Sequence, residues 1–330
     1  MLRIKNATMN GTQSSNCFDP TARKVGYTVT YFLLLVVSLA GNILVGIIVF
    51  KTKRMRKPIN FFIVNMAISD LLFPIFLFTP KLMVLLNNGP WIISGVVGQM
   101  SCKLPHFLTD VSSFVSIQSL ILIAVDRFGA VMFPLRSPLI GSKLCCLFIL
   151  GTWIVAMAIQ SPFLFALKLV DNKERVRCAL RWEETFGNSS SFENYALAVI
   201  ILMFCLPLVL ITLLYLSILL KLKTQAIPGE GSDNAREQRE KRERNVLKMS
   251  IAILTVFTIC WLPHNIHWFM SLFPPEKIVL TSCSFRHFGS IAFLLGSANC
   301  AINPGVCFIF SENYRRGLKN LFCCATISQA

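Results

Sequence analysis

Seven long apolar blocks constrain this 330-residue chain more than anything else in it. They run over residues 25–50, 58–80, 104–125, 144–167, 195–220, 249–275 and 288–311, and the first, fourth, fifth, sixth and seventh hold no charged residue. A helix rises about 1.5 Å per residue, so the roughly 30 Å hydrocarbon layer of a bilayer needs about 20 apolar residues, which every block supplies. Only 15% of the residues are charged, against about 25% in soluble domains. The fold class expected is an all-α membrane protein, a seven-transmembrane helix bundle. Residues 1–24 are polar, without an h-region or cleavage site, so the first block is expected to direct insertion.

Glycosylation signals and charge orient the chain. Asn6, Asn10 and Asn188 head the only three N-x-Ser/Thr acceptors, and seven spans with an external N-terminus place all three outside. The loop "KTKRMRKP" holds five Lys/Arg, whereas residues 82–103 hold only Lys103, so the basic loop marks the cytoplasm. The formal net charge of +16 follows from this flanking pattern and gives no reason to expect a nucleic-acid partner. "NAREQREKRERNVLK" mixes both signs at helical spacing and is expected to continue span six into the cytoplasm.

Ionisable groups within spans cost several kcal/mol unless paired or hydrated, so each is a candidate for function. They are Asp70, Asp110 and the adjacent pair Asp126 and Arg127, joined by the amides Asn42, Asn299 and Asn303. Arg127 alone would read as a snorkelling interfacial charge; an acid beside it would not. His264 and His267 lie i, i+3 without a carboxylate on their span, so no metal site is expected.

The ordered set of motifs resembles the rhodopsin-like G-protein-coupled receptors. It comprises "GN" at 41 and 42, "NMAISD" ending at Asp70, Cys102 followed by "DRF" at 126–128, Trp153, Pro162, Pro207 with Tyr215, "CWLP" at 260–263 and "NPGVC" at 303–307. "NFFIVNMAISDLLF" and "CWLPHN" look similar to the neuropeptide branch. The resemblance implies three parts: an extracellular tail at 1–24, a bundle with loops at 25–311, and a cytoplasmic amphipathic helix with a short tail at 312–330. Residues 288–311 contain no lysine, the residue to which opsins attach retinal.

Roles follow from the same resemblance. Asp126 restrains Arg127 in the resting receptor, and released Arg127 faces the G protein; Glu243 matches the acid that bridges that arginine to span six. Asp70, Ser116, Asn299 and Asn303 match a sodium site beneath Trp261, and hard oxygen ligands suit such an ion; Asp70 hydrogen-bonded to Asn42 and Asn303 is the alternative. Pro207, Ile117 and Phe257 match a packing switch, and Trp261 with Pro263 a hinge, since proline removes a helix hydrogen bond. Pro304 belongs to the N-P-x-x-Y motif, but Cys307 stands where its tyrosine swings toward the position of Tyr215, and a thiol is a poor substitute for a phenol. Cys102 and Cys178 match the family's disulfide; Cys17 and Cys283 are candidates for a second. Cys323 and Cys324 are candidates for palmitoylation on an amphipathic helix. Thr326 and Ser328 are the only phosphate acceptors after them, so tail-driven arrestin binding is expected to be weak.

For the ligand, Lys81, His106, Thr109, Asp110, His264, Asn265 and Trp268 fall at the outer ends of spans two, three and six. Trp261, His264 and Trp268 share a helix face. The family's amine-binding aspartate corresponds to Thr109, which weakens an amine reading. The long, doubly charged second outer loop favours a peptide ligand; a small amine or lipid ligand is the alternative, and a secondary transporter a remote one because neither repeats nor broken helices are apparent. The expectation is therefore a plasma-membrane receptor and not an enzyme. Its partners are an extracellular peptide, a heterotrimeric G protein, arrestin and membrane lipids. No cofactor is expected beyond an allosteric sodium ion.

Overall fold

The computed structural model describes residues 19–86, 95–133, 140–172, 175–187, 191–225, 234–275, 280 and 282–327. Several helices begin where the sequence supplies a cap. Asp19 Oδ1 accepts from the amides of Thr21 (2.8 Å) and Ala22 (3.3 Å), and Pro20 takes the first helical position of α1 (Pro20–Lys51). Pro58 likewise opens α2 (Pro58–Phe73), which widens into a π-helical turn over Pro74–Phe78 and continues as α3 (Thr79–Leu86). Next come α4 (Gly95–Met132) and α5 (Ser142–Ala166). Strands β1 (Leu167–Asn172) and β2 (Arg175–Leu180) form an antiparallel hairpin with Leu169 opposite Cys178, followed by the short α6 (Trp182–Phe186). Ser191 caps α7 (Phe192–Ile200), which passes through a second π turn, Ile201–Cys205, into α8 (Leu206–Gln225). The chain ends in α9 (Asn234–Leu272), α10 (Cys283–Phe310), capped by Ser282, and α11 (Glu312–Ile327).

Among the described residues, seven helical segments are long and apolar enough to cross a bilayer: Thr21–Lys51, Pro58–Met83, Gly95–Met132, Lys143–Ala166, Phe192–Leu222, Leu247–Leu272 and Cys283–Phe310. They are spans one to seven. Their ends differ from the apolar blocks for a physical reason: apolar sequence measures the lipid crossing, whereas the helix runs on until its hydrogen bonds are capped. Span three is the clearest case, extending from an expected 104–125 to Gly95–Met132. Much of the interval 82–103, read as loop, is therefore helix. Span six does continue as one helix from Asn234, as its charge spacing suggested.

Span three is central, packing against spans two, four and five, while span seven packs against spans six and one. Large side chains such as Phe32, Leu147, Val209, Leu220 and Ile309 point outward, as a lipid-facing surface requires. The largest buried cluster lies in the half of the bundle that α11 adjoins and includes Ile48, Ile63, Met66, Ile117, Ile123, Ile211, Tyr215, Ile253 and Phe257.

Prolines shape the polar interior, because each removes the N–H that would bond the carbonyl four residues earlier. Pro304 frees the Cys300 carbonyl, which accepts instead from Asn42 Nδ2 (2.9 Å) and Ser38 Oγ (3.3 Å) of span one. Gly41 makes that approach close: a Cβ there would stand 2.8 Å from Pro304 Cβ. Pro162 frees the Ala158 carbonyl, to which Ser161 Oγ donates at 2.8 Å. Spans two, three and four meet at Asn65, which donates to Ser119 Oγ (2.9 Å) and Thr152 Oγ1 (3.2 Å) and accepts from Trp153 Nε1 (2.9 Å).

Candidate functional site

Polar groups gather at three levels of the bundle. At the end nearest α11, Arg127 donates to Asp126 Oδ2 through Nε (3.2 Å) and Nη2 (2.5 Å), with the side chains 18% and 9% exposed. The pair is thus largely desolvated, and Arg127 spends two of its donor nitrogens on its sequence neighbour. Tyr215 of span five is buried within electrostatic reach of Arg127, and its hydroxyl is hydrogen-bonded to Ser250 of span six. That bond ties spans five and six together; Ser250 carries no motif and stands out only in the folded bundle. Glu243 falls within α9, but its side chain lies outside the described residues.

At mid-bundle, Asp70 is 2% exposed and accepts a 2.8 Å bond from Asn303 Nδ2. Ser116 lies against the same carboxyl with its Oγ outside hydrogen-bond geometry. Asn42 was the other expected partner of Asp70 and is not one: its amide is drawn to the carbonyl that Pro304 frees and to Ser38. Among the described residues, Ser116 Oγ, Asn299 Oδ1 and Asn303 Oδ1, all buried, find no hydrogen-bond partner. Oxygens left so beside a carboxylate fit a hard cation, whose charge would offset that of Asp70. The residues present therefore suit the sodium ion that the sequence pattern implies.

Above this level stands Trp261, its ring 6.1 Å from Phe257, 6.3 Å from Phe73 and 5.7 Å from His264, its Nε1 without a partner. Pro263 lies inside α9 two residues on, where its missing N–H interrupts the ladder. Phe257 packs in one cluster with Ile117, joining the expected switch residues of spans three and six. Pro207 is buried one turn before Ile211 of that cluster and lies two residues beyond the π turn of span five.

At the hairpin end the expected ligand residues divide into two groups. Lys81 Nζ sits 4.6 Å above the Phe293 ring, His106 lies within electrostatic reach of Lys81, and His264 packs 6.1 Å from Phe293. Span seven's Phe293 thus joins residues of spans two and six, though nothing in the sequence singled it out. Asp110 instead lies near Tyr195 of span five, and Trp268 packs against the cluster of Phe107, Val111, Phe114 and Met203. Thr109 is buried with Oγ1 unpartnered. Asn265 donates to the Trp261 carbonyl at 2.9 Å, so its amide donor is used within its own helix.

The hairpin is anchored twice. A disulfide joins Cys102 of span three to Cys178 of β2, with Cα atoms 5.5 Å apart. Trp182 of α6 is buried among Phe186 (4.6 Å), Tyr195 (4.7 Å) and Phe192 (5.4 Å). Cys283 is also disulfide-bonded; Cys17, its expected partner, lies outside the described residues, as do Asn6, Asn10 and Asn188. At the other end, Gly317 of α11 presses on Ile48 of span one, and Arg315 Nη1 donates to the carbonyls of Phe308 (3.3 Å) and Ile309 that close α10. Cys323 and Cys324 fall within α11, their side chains outside the described residues.

Comparison with known proteins agrees with this geometry. Residues 41–306 match the family of the 7 transmembrane receptor (rhodopsin family). The chain is similar to the substance-P receptor of Mus musculus, 28% identical over 324 residues, covering 98% of this chain and 77% of the relative. It is similar as well to the substance-P receptor of Aquarana catesbeiana (27% over 319 residues, 97% and 76%). The neuromedin-K receptor of Homo sapiens is 29% identical over 304 residues, covering 92% of this chain and 63% of the relative.

Proposed function

The chain belongs to the rhodopsin family of seven-transmembrane receptors, and on that premise we propose that it is a plasma-membrane receptor that binds an extracellular peptide at its hairpin end and activates a heterotrimeric G protein at the other. The relatives named for substance P and neuromedin K support the peptide. So does the second outer loop, folded as a hairpin tied by a disulfide to span three. In this reading the N-terminus is extracellular, Asn6, Asn10 and Asn188 are glycosylated, Cys323 and Cys324 are acylated, and α11 lies on inner-leaflet lipid. Arrestin engages the opened bundle.

The observation that carries the signalling half is the ion pair of Arg127 and Asp126. Ligand binding between spans two, three, six and seven moves the outer part of span six, and Pro263 lets the inner part swing outward. That swing breaks the link from Tyr215 to Ser250, frees Arg127 and opens a cavity for the G protein. Coupling between two such sites is reciprocal, so G protein tightens agonist binding in turn. Asp70, Ser116, Asn299 and Asn303 would hold a sodium ion that favours the resting state by neutralising the carboxylate. Receptors of this family are not enzymes.

The test is nucleotide exchange on purified G proteins by membranes carrying the chain. Arg127→Ala is expected to abolish exchange while surface expression survives. Full exchange by that variant would remove Arg127 from the coupling role.

A further inference from the structure

Two charges at the hairpin end have no counter-charge among the described residues. Among the described residues, Lys81 and Asp110 make neither an ion pair nor a hydrogen bond with a side chain. Lys81 does not snorkel toward lipid headgroups: its ammonium lies over Phe293 of span seven, whose ring also meets His264 of span six, so the charge is directed into the bundle. Asp110 is one helical turn beyond His106 on span three, an i, i+4 pair on one face, about 6 Å apart along the axis. His106 is within reach of Lys81, and Asp110 is within reach of Tyr195. His106 on that face thus stands beside the positive group of span two, and Asp110, one turn on, supplies a negative group. The two do not neutralise each other.

Unpaired charges out of bulk water are expensive, and a folded bundle gains nothing by keeping them apart. A ligand carrying both signs repays that expense on binding, because each of its charges meets an opposite one that is already desolvated. We propose that Lys81 and Asp110 form a two-charge cradle for a single ligand segment, its anionic group lodged against Lys81 and His106 and its cationic group against Asp110 and Tyr195. The ligand class is a peptide with an acidic and a basic group close together in its binding segment. A peptide neutral at that point, or charged with one sign alone, binds poorly. This rests on the peptide-receptor reading and narrows it.

The experiment uses full-length chain in cell membranes and a library of short peptides, with G-protein nucleotide exchange as readout. Each member is made in four forms: both charged groups, the anionic group alone, the cationic group alone, or neither, with amide replacing acid and acetyl replacing free amine. The expected result is that active peptides lose roughly 10- to 100-fold in potency when either group is blocked. Lys81→Gln should erase the difference between acid and amide forms alone, and Asp110→Asn the difference between amine and acetyl forms alone. Lys81→Arg and Asp110→Glu should restore the respective preferences, which a merely structural role would not do. Active peptides indifferent to both blocks would overturn the cradle and leave the peptide receptor standing. Failure of every form to raise exchange would overturn both.

Discussion

Asn303 Nδ2 donates to Asp70 Oδ2 at 2.8 Å, yet Asn303 Oδ1, on the same amide, is buried without a partner. One half of the side chain holds the carboxylate while the other half joins Ser116 Oγ and Asn299 Oδ1 as an unused acceptor. Asp70→Asn removes the charge that would attract a cation and keeps the shape. Wild-type basal exchange is expected to fall as NaCl replaces KCl at constant ionic strength, and the variant should respond equally to both salts. A variant that still distinguishes sodium from potassium would exclude Asp70 from the ion site.

Gly41 is required by distance and not by backbone conformation. An added Cβ would meet Pro304 Cβ at 2.8 Å and Cγ at 2.9 Å, and a proline ring cannot rotate away. Forcing atoms into such a contact costs about 1–3 kcal/mol. It also pushes Asn42 away from the Cys300 carbonyl that Pro304 leaves open. Gly41→Ala should therefore lower the thermal unfolding midpoint of the detergent-solubilised protein. Gly46→Ala, where nothing lies within 4 Å, should leave it in place. Equal losses at both positions would point to helix one in general instead of the Pro304 contact.

The bundle was legible in the sequence because bilayer thickness sets the length of an apolar block, and few folds other than a helix bundle can bury seven of them. The pair at 126 and 127 and the acid at 70 were legible for the same reason: a charge inside lipid stands out. Lengths were less so, since the ends of span three, at Gly95 and Met132, depend on where polar helix ends are satisfied beyond the membrane. Partners across the bundle were least legible. Phe293 beneath Lys81 and Ser250 against Tyr215 are ordinary residues whose roles come from neighbouring helices. The same holds for Asn42, drawn to Cys300 because Pro304 leaves that carbonyl free.

Tyr314 is 1% exposed, its hydroxyl has no partner, and its ring stands edge-on to Phe308 at 6.3 Å. Burial pushes its phenol well above the ordinary tyrosine range, so it keeps its proton throughout physiological pH. It lies beside buried Cys307, which cannot supply the hydroxyl the family has at that point. An unsatisfied buried hydroxyl costs about 1–3 kcal/mol, so Tyr314→Phe should raise the unfolding midpoint. If the hydroxyl finds a partner only when the bundle opens, the same variant should also lower basal exchange. Greater stability with unchanged exchange would show that the hydroxyl serves no active state.

The hairpin rim is held by Trp182 more than by its charges. Trp182 is 8% exposed and contacts four aromatic rings, whereas Glu184, which pairs with Arg181 (3.2 Å) and Lys168 (3.5 Å), has side-chain exposure of 54%. Removing a buried indole costs about 3–5 kcal/mol, while exposed ion pairs contribute roughly 0–1 kcal/mol and are screened by salt. Trp182→Ala should therefore loosen the rim, shown by faster hydrogen exchange over 175–187 and faster dissociation of bound peptide, and Glu184→Gln should change neither by more than about twofold. If Glu184→Gln loosened the hairpin as much as Trp182→Ala, the rim would be held electrostatically. Its exchange rate would then rise with ionic strength, which a rim held by Trp182 should not show.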